Sequence, residues 1–382
     1  MKNNKYLFFG TLIMGMALVS VLTGCATTVE SGTPPAPDKQ AAQLAADLNT
    51  IKAGSAVVDG AKVTLSGEVQ ITTSLTVPAG VTLDLTADGV KFELQNGAEL
   101  TVNGTVNTSG HGDHGSGWVE GGLRIGNGTT VINGSGTINL KSKGLLLGPG
   151  QGSKLTLDGV TLVGLKDNDM SLVGVGEGSE LVLKSGAITG NTRIRERWSG
   201  GGGVTVERGT FTMEGGEISG NSAQSSGDNA GGGGVTVENG VFTMKGGKIS
   251  GNSINGSVGG RGQGGGVVAY SGTFTMTGGE ISGNTADSGA GVFPWVGTFT
   301  KSGGIIYGDT DSVHTAGSTE NTAKDGTTHA VGLGSGGGKV RSLTAGPEVK
   351  LYAKTIDGNW TYNDTSAGGV GDTTANWVEN GQ

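Results

Sequence analysis

The sequence predicts an all-β fold, a single-stranded parallel β-helix closed at its N-terminal end by a short capping helix. Three observations predict it. Glycine supplies 79 of the 382 residues, about three times its usual share, without the strict three-residue period of collagen. Between the glycines stand short alternating apolar runs, Val63/Leu65, Val69/Ile71, Leu75/Val77, Val81/Leu83/Leu85 and Leu100/Val102. Runs this short suit a chain that turns a corner every few residues better than a free-standing sandwich. From about residue 200 onward the runs become an explicit repeat.

The N-terminus comes first. Lys2 and Lys5 precede an apolar stretch from Leu7 to Leu22, too short and wrongly flanked for a permanent membrane span. It ends in Leu22-Thr23-Gly24-Cys25, which contains the only cysteine of the chain. This segment resembles the signal peptide of bacterial lipoproteins. The resemblance implies cleavage before Cys25, acylation of that residue, and a membrane partner reached through the N-terminal lipid. Residues 1–24 are then the signal and 25–37 a lipidated, proline-containing tether. Residues 38–60 form a helical cap and lead-in, in which Asp38 caps a run containing Ala41, Ala42, Leu44, Ala45, Ala46 and Leu48. Residues 61–310 form the β-helix. Residues 311–382 form a Gly/Ser/Thr-rich segment and a C-terminal β cap.

The repeat is clearest over residues 200–310. GTFTMEGGEISGNS occupies 209–222, GVFTMKGGKISGNS 240–253, GTFTMTGGEISGNT 272–285 and a degraded GTFTKSGGIIYGDT 297–310, with an earlier relative at 179–192. Phe211, Phe242, Phe274 and Phe299 lie 31, 32 and 25 residues apart. With one coil per repeat, phenylalanine stacks on phenylalanine, Met213 on Met244 and Met276, and Ile218 on Ile249 and Ile281. Asn221, Asn252 and Asn284 recur at one turn, where they either form an internal amide ladder or tolerate strained turn dihedrals. Glycine turns the corners and keeps the coil narrow. The GTFTMxGGxISGN unit resembles glycine-rich repeats of surface lipoproteins of spirochaetes and related bacteria, and of adhesin-like proteins. That resemblance implies the right-handed, pectin-lyase-like fold.

Composition narrows the partners. The chain carries 25 Lys+Arg against 33 Asp+Glu, and no basic patch is there to neutralise phosphates, so nucleic acid is not an expected partner. With one cysteine there is no disulfide. The family's enzymes would need clustered carboxylates, and the sequence offers Asp113 between His111 and His114 and the run Asp167-Asn168-Asp169. Gly110-His111-Gly112 and Arg193-Ile194-Arg195 resemble elements of polygalacturonases, but the aspartates follow the histidine where that family places them before it. No catalytic residue, metal or cofactor is therefore assigned. The candidate ligand-contact residues are Arg193, Arg195, Arg197 and Trp198, in the one dense charged and aromatic cluster, together with Trp118 and Trp295. The expected function is that of a lipid-anchored, monomeric, adhesin-like scaffold with an extracellular protein or glycan ligand. It would sit on the outer membrane facing outward, or else facing the periplasm. The alternative is a polysaccharide lyase or glycoside hydrolase of the same fold.

Overall fold

A computed structural model describes residues 34–113, 118–119, 121–195, 200–225, 231–256, 262–287, 289–295, 297–307, 321–323, 331, 360–363 and 376–379. The elements belong to the unit that begins at Ala36. Its one helix among the described residues, Pro37–Ile51, buries Ala41, Leu44, Ala45 and Leu48. It starts differently from the sequence expectation. Ala36 is the N-cap and makes no side-chain cap bond; Pro37 opens the first turn and Asp38 lies inside it. Proline suits that position because its missing N–H would have had no helical partner there.

The strands stack into long ladders. One row of inward residues runs Val63, Leu83, Val106, Ile138, Leu162, Ile188, Ile218, Ile249, Ile281 and Ile306, each in register with the next. On the neighbouring face Leu155, Leu181, Phe211, Phe242, Phe274 and Phe299 form a second row. Beside it run Leu157, Leu183, Met213, Met244, Met276 and Lys301. A third face carries Val173, Val204, Val235, Val267 and Val292. All of these side chains are buried, because alternate residues of a strand face one side and only that side is dry.

These ladders do not add up to the uniformly parallel, pectin-lyase-like β-helix that the repeat predicts. Among the described residues the strands divide among five sheets, of 20, 2, 3, 5 and 5 strands. The largest merges two faces, because Thr273–Ser282 and Thr298–Ile306 run straight through the corner between them. Antiparallel pairs interrupt the parallel order. Ala56–Asp59 folds back on Lys62–Leu65, since Gly60 at φ +57° supplies the positive first position of a two-residue hairpin turn. Gly112–Asp113 pairs antiparallel with Trp118–Val119, and Trp360–Asn363 lies antiparallel to both Thr298–Ile306 and Asn376–Glu379. The sequence repeat is not a period of the whole fold either. Paired strands are offset by 20 residues at Lys62↔Thr82 and by 32 at Thr105↔Thr137. Short glycine-punctuated strands fix where the chain bends, but not how many residues lie between bends.

The asparagines settle their own ambiguity. Asn221, Asn252 and Asn284 are buried and form an amide ladder. Asn221 Nδ2 donates to Asn252 Oδ1 at 3.1 Å, and Asn252 Nδ2 to Asn284 Oδ1 at 3.0 Å. The ladder continues to Asn321 at one end, and a further amide contact joins Asn168 to Asn191. The left-handed residues beside it are glycines such as Gly251.

Many glycines are required for space rather than for dihedral freedom. A Cβ at Gly233 would sit 2.5 Å from the carbonyl oxygens of both Gly265 and Ser253, and one at Gly265 would sit 2.5 Å from that of Thr285. None of these obstacles is a flexible side chain. Gly233→Ala is therefore expected to destabilise by at least the roughly 1–3 kcal/mol of ordinary overpacking. Gly251, at φ +61° with only the Gly220 nitrogen near its Cβ position, at an unstrained 4.0 Å, should lose only about 1 kcal/mol as alanine. Chemical denaturation of the two variants checks this order; equal losses would mean that the narrow coil is not the constraint.

Candidate functional site

A cleft of about 460 Å³ opens on the flank of the third face, within the range of small-ligand sites. It exists because the rungs there are bare: Gly148, Gly150, Gly174 and Gly176 form part of its wall, and Ile125, Leu145, Pro149, Met170 and Val175 its apolar part. Its polar lining is basic. Arg124 comes from the strand Gly122–Ile125, Arg193 and Arg195 from Thr192–Arg195, and Thr205 and Glu207 from Val204–Glu207. His111 and Ser171 complete it. Three arginines face one lining carboxylate in a chain whose overall charge is −8.

Arg193 is the unusual member. It stands in register with Ala223, which stands in register with Ile254, and these two belong to a small satellite core with Ala286 and Ala290. Arg193 thus stands between Asn168, its bridge partner on the preceding rung, and the apolar positions that follow, and it is only 7% exposed. Its neighbour Ile194 is 45% exposed, because successive side chains of a strand alternate sides. Arg193 Nη1 donates to Ser171 Oγ at 3.1 Å, whereas its Nε has no hydrogen-bond partner among the described residues. Ser171 Oγ is itself held by the Gly201 carbonyl and the Thr205 hydroxyl, each at 2.5 Å. Burial, reinforced by Arg195, brings the Arg193 pKa down to about 10; Asp169 and Glu238 act in the opposite direction. The guanidinium therefore stays charged at neutral pH, and it is short of acceptors. A buried cation in that condition is costly unless a ligand completes it.

Beyond the cleft, Glu207 is in register with Glu238 on the next rung. Burial, and then the charge of Glu207, push the Glu238 carboxyl above its ordinary range. Further along, Tyr270 and Trp295 follow the next two strands of the same sheet. Their rings lie 5.7 Å apart at 26°.

The sequence-predicted contact residues are therefore dispersed. Arg193 and Arg195 share the cleft, and Trp295 stands apart from it, just past a strand of a different sheet from theirs. Trp118 lies on a two-residue strand, and its side chain, like Arg197, Trp198, His114 and Cys25, lies outside the described residues. Asn168, flagged only as part of an acidic run, is wholly buried and bonds to the Gly144 backbone from both ends of its amide. Sequence reasoning missed Arg124, Ser171, Thr205 and Glu207. Thr205 and Glu207 share the strand Val204–Glu207, whose VTVE returns at 235–238, but nothing in that repeat marks a site; Arg124 and Ser171 lie far from them in the chain and meet them only through rung stacking.

No protein-family profile matches the chain, and no curated protein and no solved structure matches it. The resemblance to pectin-lyase-like surface lipoproteins and adhesins is thus unsupported, and the sheet arrangement contradicts it. The adhesin-like β-helical scaffold and the polysaccharide lyase or glycosidase alternative both rested on that fold assignment, and both are withdrawn with it.

Proposed function

We propose that this chain is a lipid-tethered envelope protein that binds an anionic group, a carboxylate or a phosphate, in the arginine cleft. The supporting observation is Arg193, a buried guanidinium with an unused donor beside Arg195, in a cleft that also presents Arg124. Charge-assisted hydrogen bonds from guanidinium to oxyanion are among the strongest and most directional available. The tether rests on the sequence Leu22-Thr23-Gly24-Cys25. Its check is metabolic labelling with palmitate, expected for the natural chain and lost with Cys25→Ala, which should also release the protein from the membrane fraction.

The binding test is calorimetry of the full chain with glucuronate, glucose and inorganic phosphate. Glucuronate or phosphate should bind and glucose should not. Arg193→Met should weaken anion binding roughly 10–100-fold, the loss of one hydrogen bond to a charged group. The same variant should keep or gain thermal stability, because replacing an incompletely paired buried ion by an apolar side chain of similar length is often neutral or stabilising by about 1–4 kcal/mol. Equal affinity for glucose and glucuronate, or unaltered binding in Arg193→Met, would refute the proposal. A large drop in stability would show instead that Arg193 is a structural cation.

A further inference from the structure

We infer that the cleft takes an anion with a flat apolar body, an aryl carboxylate or aryl phosphate, whose ring lies on two bare rungs of the ladder. This rests on the arginine cleft being an anion site and names the rest of its ligand. The bridges Ile125↔Pro149 and Leu147↔Val173, with the pairing of Val173–Val175 and Val204–Glu207, set one outward row: Arg124, Gly148, Gly174 and Thr205. Gly150 and Gly176 stand two residues further along the two middle rungs, and all four glycines line the cleft. Arg124 closes the row at one end and Thr205 at the other. Three rung steps of about 4.8 Å separate these two, roughly 14 Å less their own side chains. That is room for one ring and its acidic group.

Packing does not explain these four glycines. Elsewhere the ladders compel glycine: a Cβ at Gly201 would run into the carbonyl of Val204, and one at Gly232 into that of Val235. In the cleft wall the space is free. A Cβ at Gly148 would have His111 Nε2 and Leu145 Cδ1 as its nearest atoms, both at 3.5 Å; at Gly150 the nearest is Ser153 Oγ at 3.6 Å; at Gly176 nothing lies within 4 Å. At Gly174 it would first meet the end of the Leu145 side chain, at 3.1 Å. None of the four holds a left-handed φ. Glycine at such a position costs conformational entropy and forfeits side-chain packing, and in a strand it often marks the close approach of a ligand. What the four leave open is a strip of peptide planes, with Leu145 and Met170 at its side. A planar ring covers such a strip over its whole face, whereas a puckered ring touches it at a few atoms. The Met170 sulfur suits an aromatic edge, and the arginines take the oxyanion.

The test is calorimetry of the full chain with five probes: acetate, phenylacetate, cyclohexylacetate, inorganic phosphate and phenyl phosphate. Phenylacetate should bind roughly 10–100-fold tighter than acetate, and phenyl phosphate than inorganic phosphate, the effect of covering one ring. Cyclohexylacetate, with the same carbon count but no flat face, should gain less than phenylacetate. Gly176→Leu should fold, since its backbone is ordinary and the space is empty, and thermal unfolding checks that it does. It should remove the gain, so that phenylacetate and acetate bind alike. Leu145→Ala, which takes away the side wall instead, should reduce the gain. If the rings gain nothing over acetate and phosphate, or either variant keeps the gain in full, the flat ligand is refuted while the anion site stands. Cyclohexylacetate binding as tightly as phenylacetate would overturn the planar fit. If none of the five binds, the anion site fails with it.

Discussion

Replacing Phe242 by alanine is expected to reduce stability by about 3–5 kcal/mol, the usual range for deleting a buried ring. The ring is wholly buried. It stacks on Phe211 at 4.7 Å and on Phe274 at 4.8 Å, both at 8° between planes. The geometry is imposed by register: parallel strands place like residue over like, so neighbouring rings inherit both the rung spacing and a common rotamer. Phe211 provides the control. It has a ring on one side and Leu181 on the other, so Phe211→Ala should be milder by one aromatic pair, about 0.5–1.5 kcal/mol. Phe242→Leu should be milder than either alanine variant, because leucine fills most of the space and copies the solution already used at Leu155 and Leu181. Denaturant unfolding of the three variants tests this order. Equal losses for Phe211→Ala and Phe242→Ala would show that ring stacking adds nothing beyond burial.

The phenylalanine, methionine and isoleucine rows were legible because the repeat aligns them in the sequence itself. N-terminal members of the same rows, such as Val63 and Leu83, were visible only as isolated apolar runs, since no repeated motif surrounds them. The hairpin at Gly60 was hidden for a different reason. An Asp-Gly turn between short strands reads equally well as a corner or as a reversal, and the choice depends on tertiary pairing. At the C-terminal end a β cap was expected after the degraded GTFTKSGGIIYGDT, but nothing in that segment announces that the strand pairing with it, Trp360–Asn363, runs antiparallel. At the cleft, the density of charge around Arg193 was legible, but its burial was not. Alternation along Thr192–Arg195 turns Arg193 inward and Ile194 outward, the opposite of what hydropathy predicts. Such an inversion of the local rule is where a binding role is most to be sought.

The asparagine ladder carries the second large expectation. Asn252 works at four points. Its Oδ1 accepts from the Asn221 backbone N–H at 3.0 Å and from Asn221 Nδ2 at 3.1 Å; its Nδ2 donates to the Ile218 carbonyl at 2.8 Å and to Asn284 Oδ1 at 3.0 Å. Asn252→Leu keeps the approximate volume and deletes all four. Asn221 Nδ2 retains the Ile188 carbonyl, Asn284 Oδ1 retains the Asn252 backbone N–H, and the Ile218 carbonyl stays in its parallel strand pairing, so the principal casualty is the Asn221 N–H. At about 1–3 kcal/mol for a buried group left unmatched, the loss should be of that size and nearly independent of pH. Asn252→Asp adds a test of sign. As an anion the new carboxylate would satisfy Asn221 but turn an acceptor toward the Ile218 carbonyl and Asn284 Oδ1; protonated, it regains one donor. Burial and those two acceptors raise its pKa in the folded chain above the unfolded value of about 3.9. Below that pH the residue is neutral in both states and the penalty is smallest. As pH rises toward the folded pKa, the unfolded chain gives up its proton first and the variant loses stability relative to the natural chain. Urea unfolding at several pH values should therefore show a gap that widens from acid to neutral for Asn252→Asp and stays flat for Asn252→Leu. A flat response in both would mean that the aspartate escapes to water, and that the amide column is not sealed at Asn252.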